Sequence, residues 1–304
     1  MDSKKAKIIS IVLIVILSIV CLLLVFKPFD SKNKDNKQNE ITQTESQTEK
    51  RSKIETNKWI TDENGKKYIN ADGKECKKEI VKIENDFYKF DENGYSVTGW
   101  SKEKDSTKYF LDSGKMATGW QYISDYKYYF DENGNMVTDL RDKVSGPYLI
   151  KVNRSQNCVT VYAEDGDKGF IIPIAAFICS TGDVTPLGTF TMQTQYRWRE
   201  LFGGHGQYCS RITGHILFHS IPYTKSGDIY SMEEGEYNKL GTNASAGCVR
   251  LRLIDAKWIY DNCKTGKTTV TIYDDDNAGP FGKPVIEKIP NNQTWDPTDP
   301  AVKK

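Results

Sequence analysis

A unit of about 20 residues recurs between residues 58 and 145, and it constrains the fold more than any other feature of the chain. Copies begin near Phe87, Tyr109 and Tyr128, and a weaker first copy begins at Trp59. The copies place aromatic residues beside Asn-Gly or Ser-Gly turns, a pattern that predicts β-hairpins. One hairpin cannot bury its aromatic face alone, so neighbouring copies must stack. Residues 58–145 therefore predict a solenoid of β-hairpins.

The N-terminal residues predict a membrane anchor followed by a tether. Residues 8–26 carry no charge, and as a helix they would span about 28 Å, close to the thickness of a hydrocarbon core. Three lysines within residues 1–7 predict that this short stub is cytoplasmic. Polar residues dominate 27–57, which predicts a disordered linker. We therefore expect a single-pass membrane protein whose remaining residues lie outside the membrane.

A different pattern begins at residue 146. Short β-branched runs, such as 159–162 and 268–273, alternate with turn residues up to residue 275, which predicts an all-β sandwich or barrel. One helix is predicted at 254–263, with Asp255 as a candidate cap. Residues 276–304 contain five prolines and predict an extended tail that packs along this domain. The expected fold class is mainly β.

The composition excludes several classes of function. The net charge is +1 over 304 residues with the two signs interspersed, which gives no support for a nucleic-acid surface. Six of the seven cysteines follow the apolar segment, yet no C-x-x-C occurs among them, and no cluster of metal ligands is visible. We predict neither a metal nor a cofactor. Most of these cysteines are expected to be small core residues.

A cysteine in a turn of small residues and a histidine in an apolar run form the candidate catalytic pair. Cys248 follows Ser245-Ala246-Gly247, and His219 ends a run of Ile, Leu and Phe. A thiol needs a base to become a nucleophile at neutral pH, and imidazole is matched to that task. Gly247 permits a tight turn with free amides for an oxyanion, and Arg250 adds a charge that favours thiolate or grips a carboxylate. The pattern predicts a cysteine acyltransferase.

These residues resemble the YkuD-type L,D-transpeptidase family, whose members cross-link peptidoglycan. His219-Ser220 and the run from Ser245 to Arg250 are similar to its His-containing and Ser/Thr-x-Gly-Cys-x-Arg motifs. Residues 180–190 resemble its STG…TPxGxF segment, and residues 148–162 resemble its opening hairpin. The resemblance covers roughly residues 146–274. Two departures are Ala246, where the family often has histidine, and a long stretch at 221–244 that is a candidate lid or acceptor-side wall.

The resemblance implies a mechanism. Cys248 attacks the carbonyl of the third residue of a tetrapeptide stem, D-Ala leaves, and the side-chain amine of a second stem resolves the thioester into a 3–3 cross-link. His219 moves the proton, and Ser220 orients His219 through its backbone carbonyl. The amides of Gly247 and Cys248 stabilise the oxyanion, while Ser245 and Arg250 shape the site or bind substrate. A carbapenem is expected to acylate the same thiol. The role of His215 stays open.

The repeats resemble the choline-binding and glucan-binding families of cell-wall-binding repeats. The resemblance implies aromatic cages or shelves, because an aromatic face suits both a quaternary ammonium and a sugar ring. The expected partner is wall glycan or teichoic acid. The alternative is that the aromatics only hold the solenoid together. The candidate ligand residues are Trp100, Trp120, Tyr109, Tyr128 and Tyr129.

Two other functions remain open at this point. If water resolves the thioester, the protein is an L,D-carboxypeptidase or endopeptidase that acts on wall peptides. If the cysteine is inactive, the protein is a non-catalytic wall-binding protein whose repeats carry the function. In each case the expected location is the bacterial cell membrane, with the catalytic domain in the cell wall.

Overall fold

A computed structural model describes residues 55–303. The predicted cytoplasmic stub, the anchor at 8–26 and nearly all of the predicted linker lie outside the described residues. Within 55–303, strands far outnumber helices, so the prediction of a mainly β protein is confirmed. No helix in this range is long and apolar enough to cross a membrane.

Residues 58–130 form four two-stranded antiparallel hairpins, one for each predicted copy. Consecutive hairpins stack through backbone bonds that follow the second strand of each: Met116 N–H donates to the Phe87 carbonyl at 2.8 Å, and Met136 N–H to Thr107 at 2.7 Å. The strands are β1 Lys58–Asp62, β2 Gly65–Ile69, β3 Ile80–Ile83, β4 Asp86–Lys89, β5 Gly99–Lys102, β6 Thr107–Phe110, β7 Gly119–Ile123 and β8 Tyr126–Phe130.

Gly94 and Gly114 lie between hairpins and Gly134 follows the last one, so none of these three turn glycines is at a hairpin tip, which corrects the expectation from the sequence. The tip of the last hairpin is instead formed at Ser124, which has a φ of 52°. Gly114 turns the chain after β6 so that Phe110 can pair with Met116. A Cβ on Gly114 would lie 2.4 Å from Ser96 Oγ of the preceding copy, and its φ is +85°. Glycine is therefore required here by both the turn and the stacking.

The remaining strands form one nine-stranded sheet in the order β12-β17-β9-β10-β11-β16-β15-β14-β13. Neighbours are antiparallel except for the parallel pairs β9/β17 and β15/β16. The strands are β9 Tyr148–Asn153, β10 Cys158–Ala163, β11 Ile172–Ser180, β12 Gly188–Thr191, β13 Gln195–Leu201, β14 Gly204–Thr213, β15 Ile216–Ser220, β16 Val249–Leu251 and β17 Thr269–Tyr273. The helices are α1 Glu234–Tyr237 and α2 Leu253–Asn262, and Gly166–Lys168 is a 3-10 turn.

This sheet curls around a single core. Ile150 of β9, Phe218 of β15 and Ile259 of α2 are fully buried in the same cluster, although β9 and β15 lie in opposite halves of the sheet. The chain after edge strand β12 also bonds to β14, since Arg211 N–H donates to the Thr194 carbonyl at 2.9 Å. Burying such side chains stabilises the fold by about 2 kcal/mol each. The curl gives the barrel-like form expected from the strand pattern.

The C-terminal tail packs along this domain as expected, and it also caps α2. The Asp296 carboxylate accepts a hydrogen bond from Leu253 N–H at 2.8 Å, and Thr298 Oγ1 accepts one from Ile254 N–H at 3.2 Å. These bonds satisfy N–H groups that a helix start leaves unpaired. Asp255 is not the cap; it is buried in the first turn and pairs with Arg252 at 2.7 Å.

The last hairpin packs directly on the curled sheet. Lys127 N–H of β8 donates to the Ile171 carbonyl at 2.9 Å, and the ring of Tyr126 stacks on Tyr162 with centroids 5.8 Å apart. The Lys127 ammonium pairs with Asp165 at 2.6 Å. A backbone hydrogen bond, a stacked pair of tyrosines and an ion pair therefore hold the repeats against the domain that follows them.

Candidate active site

The parallel pairing of β15 with β16 brings the predicted catalytic residues together. His219 lies opposite Arg250 in this pairing, and Cys248 comes immediately before β16. Cys248, His219, His215 and Arg250 all line one pocket of about 270 Å³. The Cys–His pair predicted from the sequence thus occupies a single concave site.

The His219 ring is buried and held in one tautomer. Its Nδ1 lies 2.5 Å from the Ser220 carbonyl oxygen, and because a carbonyl only accepts, Nδ1 carries the proton. Nε2 is then the nitrogen with a free lone pair. Burial lowers the pKa of His219 to about 4, the Arg250 charge acts in the same direction, and the Ser220 bond opposes them. His219 is therefore a neutral base at physiological pH.

The Cys248 thiol is protonated in the resting site. Its Sγ donates to the His215 carbonyl at 3.5 Å. Burial raises the pKa of Cys248, whereas a backbone hydrogen bond from Leu217 and the charges of Arg250 and Arg211 act to lower it. The expectation that Arg250 favours thiolate has the right direction, but burial is the larger effect. The resting pair is a neutral thiol beside a neutral imidazole.

This protonation state predicts the pH profile of alkylation in the absence of substrate. The rate at which iodoacetamide modifies Cys248 should rise about tenfold per pH unit between pH 7 and 9, because only the thiolate reacts and its pKa is raised. Peptide mass spectrometry on Cys248 would provide the rates. A plateau between pH 5 and 8 would instead indicate a resting thiolate–imidazolium pair and would contradict the assignment.

The loop before Cys248 depends on Gly247 and on the Ser245 hydroxyl. Gly247 has a φ of +114°, and a Cβ there would lie 2.8 Å from Val184 Cγ2. Gly247 N–H donates to Ser245 Oγ at 3.0 Å, and that hydroxyl donates to the Cys248 carbonyl at 2.6 Å. Gly247 N–H is therefore not free for an oxyanion, contrary to expectation. Within the described residues, Cys248 N–H has no protein acceptor and remains available.

The STG…TP segment supports this loop from behind. Thr185 Oγ1 donates to the Gly247 carbonyl at 2.8 Å and accepts from Gly182 N–H at 2.8 Å. Ser245 N–H donates to the Thr181 carbonyl at 2.9 Å. The segment recognised in the sequence thus has a physical role, which is to hold the backbone around the thiol.

Arg250 is engaged by the 221–244 stretch. Its guanidinium forms an ion pair with Glu236 of α1 and donates to the Ala244 carbonyl at 3.0 Å. Both side chains of the pair are mostly buried, at 14% and 19% exposure. The sequence had suggested that Arg250 binds a substrate carboxylate, but its guanidinium is already engaged by these two partners. The 221–244 stretch, the candidate lid or acceptor-side wall, also contributes the residue that neutralises Arg250.

Removing this partner is expected to destabilise the fold. Glu236→Gln should lower the free energy of unfolding by about 2 kcal/mol, because it leaves the Arg250 charge buried without a counterion. Urea titration would measure the change. Glu234→Gln is the matched control, since Glu234 lies on the same helix and forms no ion pair among the described residues. Equal stability of the two variants would contradict a structural role for the pair.

The predicted ligand aromatics of the repeats differ in accessibility. Trp100 is 41% exposed, with its ring centroid 5.0 Å from Tyr109 and 5.1 Å from Tyr128. Tyr128 itself is buried, which favours a packing role. Trp120 is 40% exposed but pairs with Tyr129 and already has the Lys127 ammonium 5.4 Å above its ring. Of the two exposed tryptophans, Trp100 is the one whose ring no described cation covers.

Several residues that line or support the site were not predicted from the sequence. Arg199 and Arg211 line the pocket with Cys248, and Glu236 holds Arg250. The only sequence signal for Glu236 was the acidic character of the 221–244 stretch, and the arginines had none. Residues 55–303 contain no group of three or more His, Cys, Asp or Glu placed to hold a metal ion.

Two family models match the two parts of the described chain. Residues 147–272 match YkuD, the L,D-transpeptidase catalytic domain, and residues 97–140 match Choline_bind_3, a choline-binding repeat. The resemblances to L,D-transpeptidases and to choline-binding repeats are therefore confirmed.

Individual relatives cover smaller shares of the chain. A Bacillus subtilis (strain 168) protein named "Putative L,D-transpeptidase YciB" is 39% identical over 85 residues, which are 26% of this chain and 42% of that protein. The chain thus spans less than half the length of this relative. An L,D-transpeptidase structure from Mycobacterium smegmatis is 16% identical with a TM-score of 0.34, covering 57% of this chain and 68% of that one. Choline-binding protein F from Streptococcus pneumoniae is 22% identical with a TM-score of 0.26, covering 56% and 43% respectively. With TM-scores this low, neither structure adds to the assignment.

Proposed function

We propose that the protein is a peptidoglycan L,D-transpeptidase that forms 3–3 cross-links through a cysteine acyl-enzyme. The observation that carries the proposal is the shared pocket of Cys248 and neutral His219, within the residues that match the L,D-transpeptidase catalytic domain. An acyl transfer from one peptide bond to another requires no ATP, so it suits a reaction outside the membrane. Donor and acceptor stem peptides of the wall are the proposed substrates.

The proposed reaction follows from the protonation states of the pair. His219 Nε2 takes the proton from Cys248 Sγ as the S–C bond forms at the third residue of the donor stem. In this reaction the Cys248 N–H, which has no protein acceptor among residues 55–303, stabilises the oxyanion. His219 then delivers its proton to the amine of D-Ala as the C–N bond breaks. The acceptor amine attacks the thioester, loses a proton to His219, and the thiol is restored.

Intact-mass spectrometry of the full chain with a disaccharide-tetrapeptide tests this proposal. The expected result is an acyl adduct on Cys248, release of D-Ala and a dimer linked 3–3. A carbapenem should form a stable adduct on the same residue. Cys248→Ser is the matched control, since it keeps the size of the side chain and replaces the thiol by a much weaker nucleophile. The absence of any adduct on Cys248 with either compound would refute an acyl-enzyme mechanism.

The alternative is a hydrolytic L,D-carboxypeptidase or endopeptidase, in which water resolves the same thioester. The same experiment separates the two, because a tripeptide product without a dimer identifies hydrolysis. A non-catalytic wall-binding protein is the remaining alternative. It would show neither adduct nor product, and wall binding would be unchanged in the Cys248→Ser variant.

We also propose that the repeats hold the enzyme at the wall through a quaternary ammonium or sugar ligand at Trp100. Trp100→Ala is expected to weaken choline binding at least tenfold, because it removes the exposed face of the cage. Trp120→Ala is the matched control and should have a smaller effect, since Lys127 already covers that ring. Fluorescence titration with choline, and separately with a wall oligosaccharide, would identify the ligand class. Equal losses in the two variants would contradict the assignment to Trp100.

The location is part of the proposal. An anchor at residues 8–26 and a linker at 27–57 would place the catalytic domain outside the membrane, within reach of the wall. Protease digestion of intact spheroplasts should then remove residues 58–304. Protection of this part of the chain would contradict the orientation.

A further inference from the structure

The rim of the candidate active-site pocket has a net positive charge. Three arginines line it, and Arg250 is neutralised by Glu236. Arg199 and Arg211 have no carboxylate within 4 Å among residues 55–303. Glu200 is the one acidic residue that lines the pocket, and it forms no ion pair in the same part of the chain. Two unpaired guanidiniums against one unpaired carboxylate leave the rim with a net positive charge.

These two guanidiniums are held in place by neutral groups. Arg199 lies over the Tyr196 ring at 4.4 Å and Arg211 lies over the same ring at 5.8 Å. Arg211 also donates to Tyr196 Oη at 3.3 Å, to Thr194 Oγ1 at 3.3 Å and to the Gly214 carbonyl. Such partners fix the orientation of a guanidinium without removing its charge. The rim is thus ordered before any ligand arrives.

The pairing of the strands places these two guanidiniums on the side of the sheet where the thiol lies. Arg211 of β14 pairs with Leu217 of β15, two residues before His219, and Arg199 of β13 pairs with Gly206. A Cβ on Gly206 would lie 3.2 Å from the His219 Cβ, so this glycine brings β14 close to the base. Arg211 also acts on Cys248, where its charge contributes to lowering the thiol pKa against burial. Both arginines therefore face the space in which a substrate would react.

We propose that Arg199 and Arg211 form a carboxylate-binding subsite for a free carboxylate of the donor stem peptide. The planar guanidinium fork matches a carboxylate, and a peptide stem presents such groups beside the bond that is cleaved. This inference rests on the proposed function for the identity of the peptide. The anion site itself does not depend on that function, because it follows from the charge and geometry of the rim.

The most direct test uses two alkylating reagents that differ in charge. Iodoacetate and iodoacetamide both place a carbon on Cys248 Sγ and release iodide, but only iodoacetate carries a carboxylate. The ratio of their second-order rates on the full chain therefore reports the local attraction for a carboxylate. Arg199→Gln and Arg211→Gln are each expected to lower this ratio about 3- to 10-fold. High salt should reduce the ratio in the wild type.

Arg197→Gln is the matched control, since Arg197 lies on the same strand but lies over Tyr208 at 4.0 Å and does not line the pocket. Its ratio should stay within about twofold of the wild type. Arg211→Lys should recover part of the ratio lost in Arg211→Gln, because lysine keeps the charge but lacks the bidentate fork, and this distinguishes lost charge from a distorted site. An equal fall in Arg197→Gln, an unchanged ratio in both rim variants, or no recovery with lysine would overturn the proposal.

A second measurement addresses the substrate. Two stem peptides are compared, one with free carboxylates and one in which the carboxylates are amidated. Arg211→Gln should raise the KM for the first about tenfold and change the KM for the second much less. If the alkylation ratio falls as expected but no stem is cross-linked, the anion site stands and the proposed transpeptidase function fails. If stems are cross-linked but the ratio and the KM do not respond, the subsite fails and the proposed function stands.

Discussion

His219→Gln is expected to lower kcat/KM for D-Ala release by about 10³-fold, because it removes the group that accepts the thiol proton. The glutamine amide nitrogen takes the place of Nε2 and not of Nδ1, so the Ser220 carbonyl loses its donor, and a urea transition of the variant shows whether the fold of β15 is kept. Release of D-Ala from a tetrapeptide stem provides the measurement. Alkylation of Cys248 at pH 10 is the control, since hydroxide then ionises the thiol without a base. This rate should remain within about threefold of the wild type.

The alternative base is His215, the other histidine that lines the pocket. His215→Gln is therefore the matched variant, and it should retain most of the activity because its backbone carbonyl, and not its ring, contacts Cys248 Sγ. If His215→Gln lost as much activity as His219→Gln, the assignment of the base to one histidine would be wrong.

The variant His219→Gln also tests the burial of His219 independently of catalysis. The pKa of His219 is about 4 in the folded protein and 6.5 in the unfolded reference. The unfolded state therefore takes up the proton first as pH falls, and stability is lost between pH 6.5 and 4, by about 3 kcal/mol in total. Above pH 6.5 this group contributes no pH dependence. Urea titrations of His219→Gln should show a smaller loss over this range, whereas an unchanged pH dependence would contradict a buried neutral imidazole.

The features that were predicted correctly from the sequence arise from local patterns. The aromatic period predicted four hairpins, because a repeated pattern of strand and turn residues acts within about 20 residues of chain. The Cys248 and His219 motifs predicted one pocket, since each lies beside a strand whose pairing brings them together. Turn positions were less certain, because Asn-Gly and Ser-Gly suit any tight turn and the stacking decided which turns they occupy.

Contacts between distant residues could not be predicted in this way. The cap of α2 is Asp296, which is 43 residues from Leu253, so the helix sequence alone pointed to Asp255. Glu236 reaches Arg250 from a stretch that has no repeated pattern. The burial that raises the Cys248 pKa also depends on the assembled sheet, so the sequence pointed only to the Arg250 charge, which lowers that pKa, and not to the larger effect of burial. Pairings across the sheet create these features, and no local spacing encodes them.

The cysteine loop is expected to be most sensitive at Gly182, which lies on the segment behind it. A Cβ on Gly182 would lie 2.1 Å from the Ser245 carbonyl oxygen and 2.7 Å from Gly247 N, and both are backbone atoms. No side chain can rotate to relieve these contacts, so Gly182→Ala must displace the loop. The displacement would also strain the Thr185 bridge between Gly182 N–H and the Gly247 carbonyl.

We expect Gly182→Ala to lower kcat/KM for D-Ala release by about 10²-fold or more, since a shift of about 1 Å in a reacting group has an effect of this size. The free energy of unfolding should fall by about 2 kcal/mol from overpacking. Gly235→Ala is the matched control, because a Cβ there meets no atom within 4 Å and Gly235 lies in α1, outside the loop. If the two variants had the same activity, the STG segment would not position the thiol. A loss of stability without a loss of activity in Gly182→Ala would limit its role to folding.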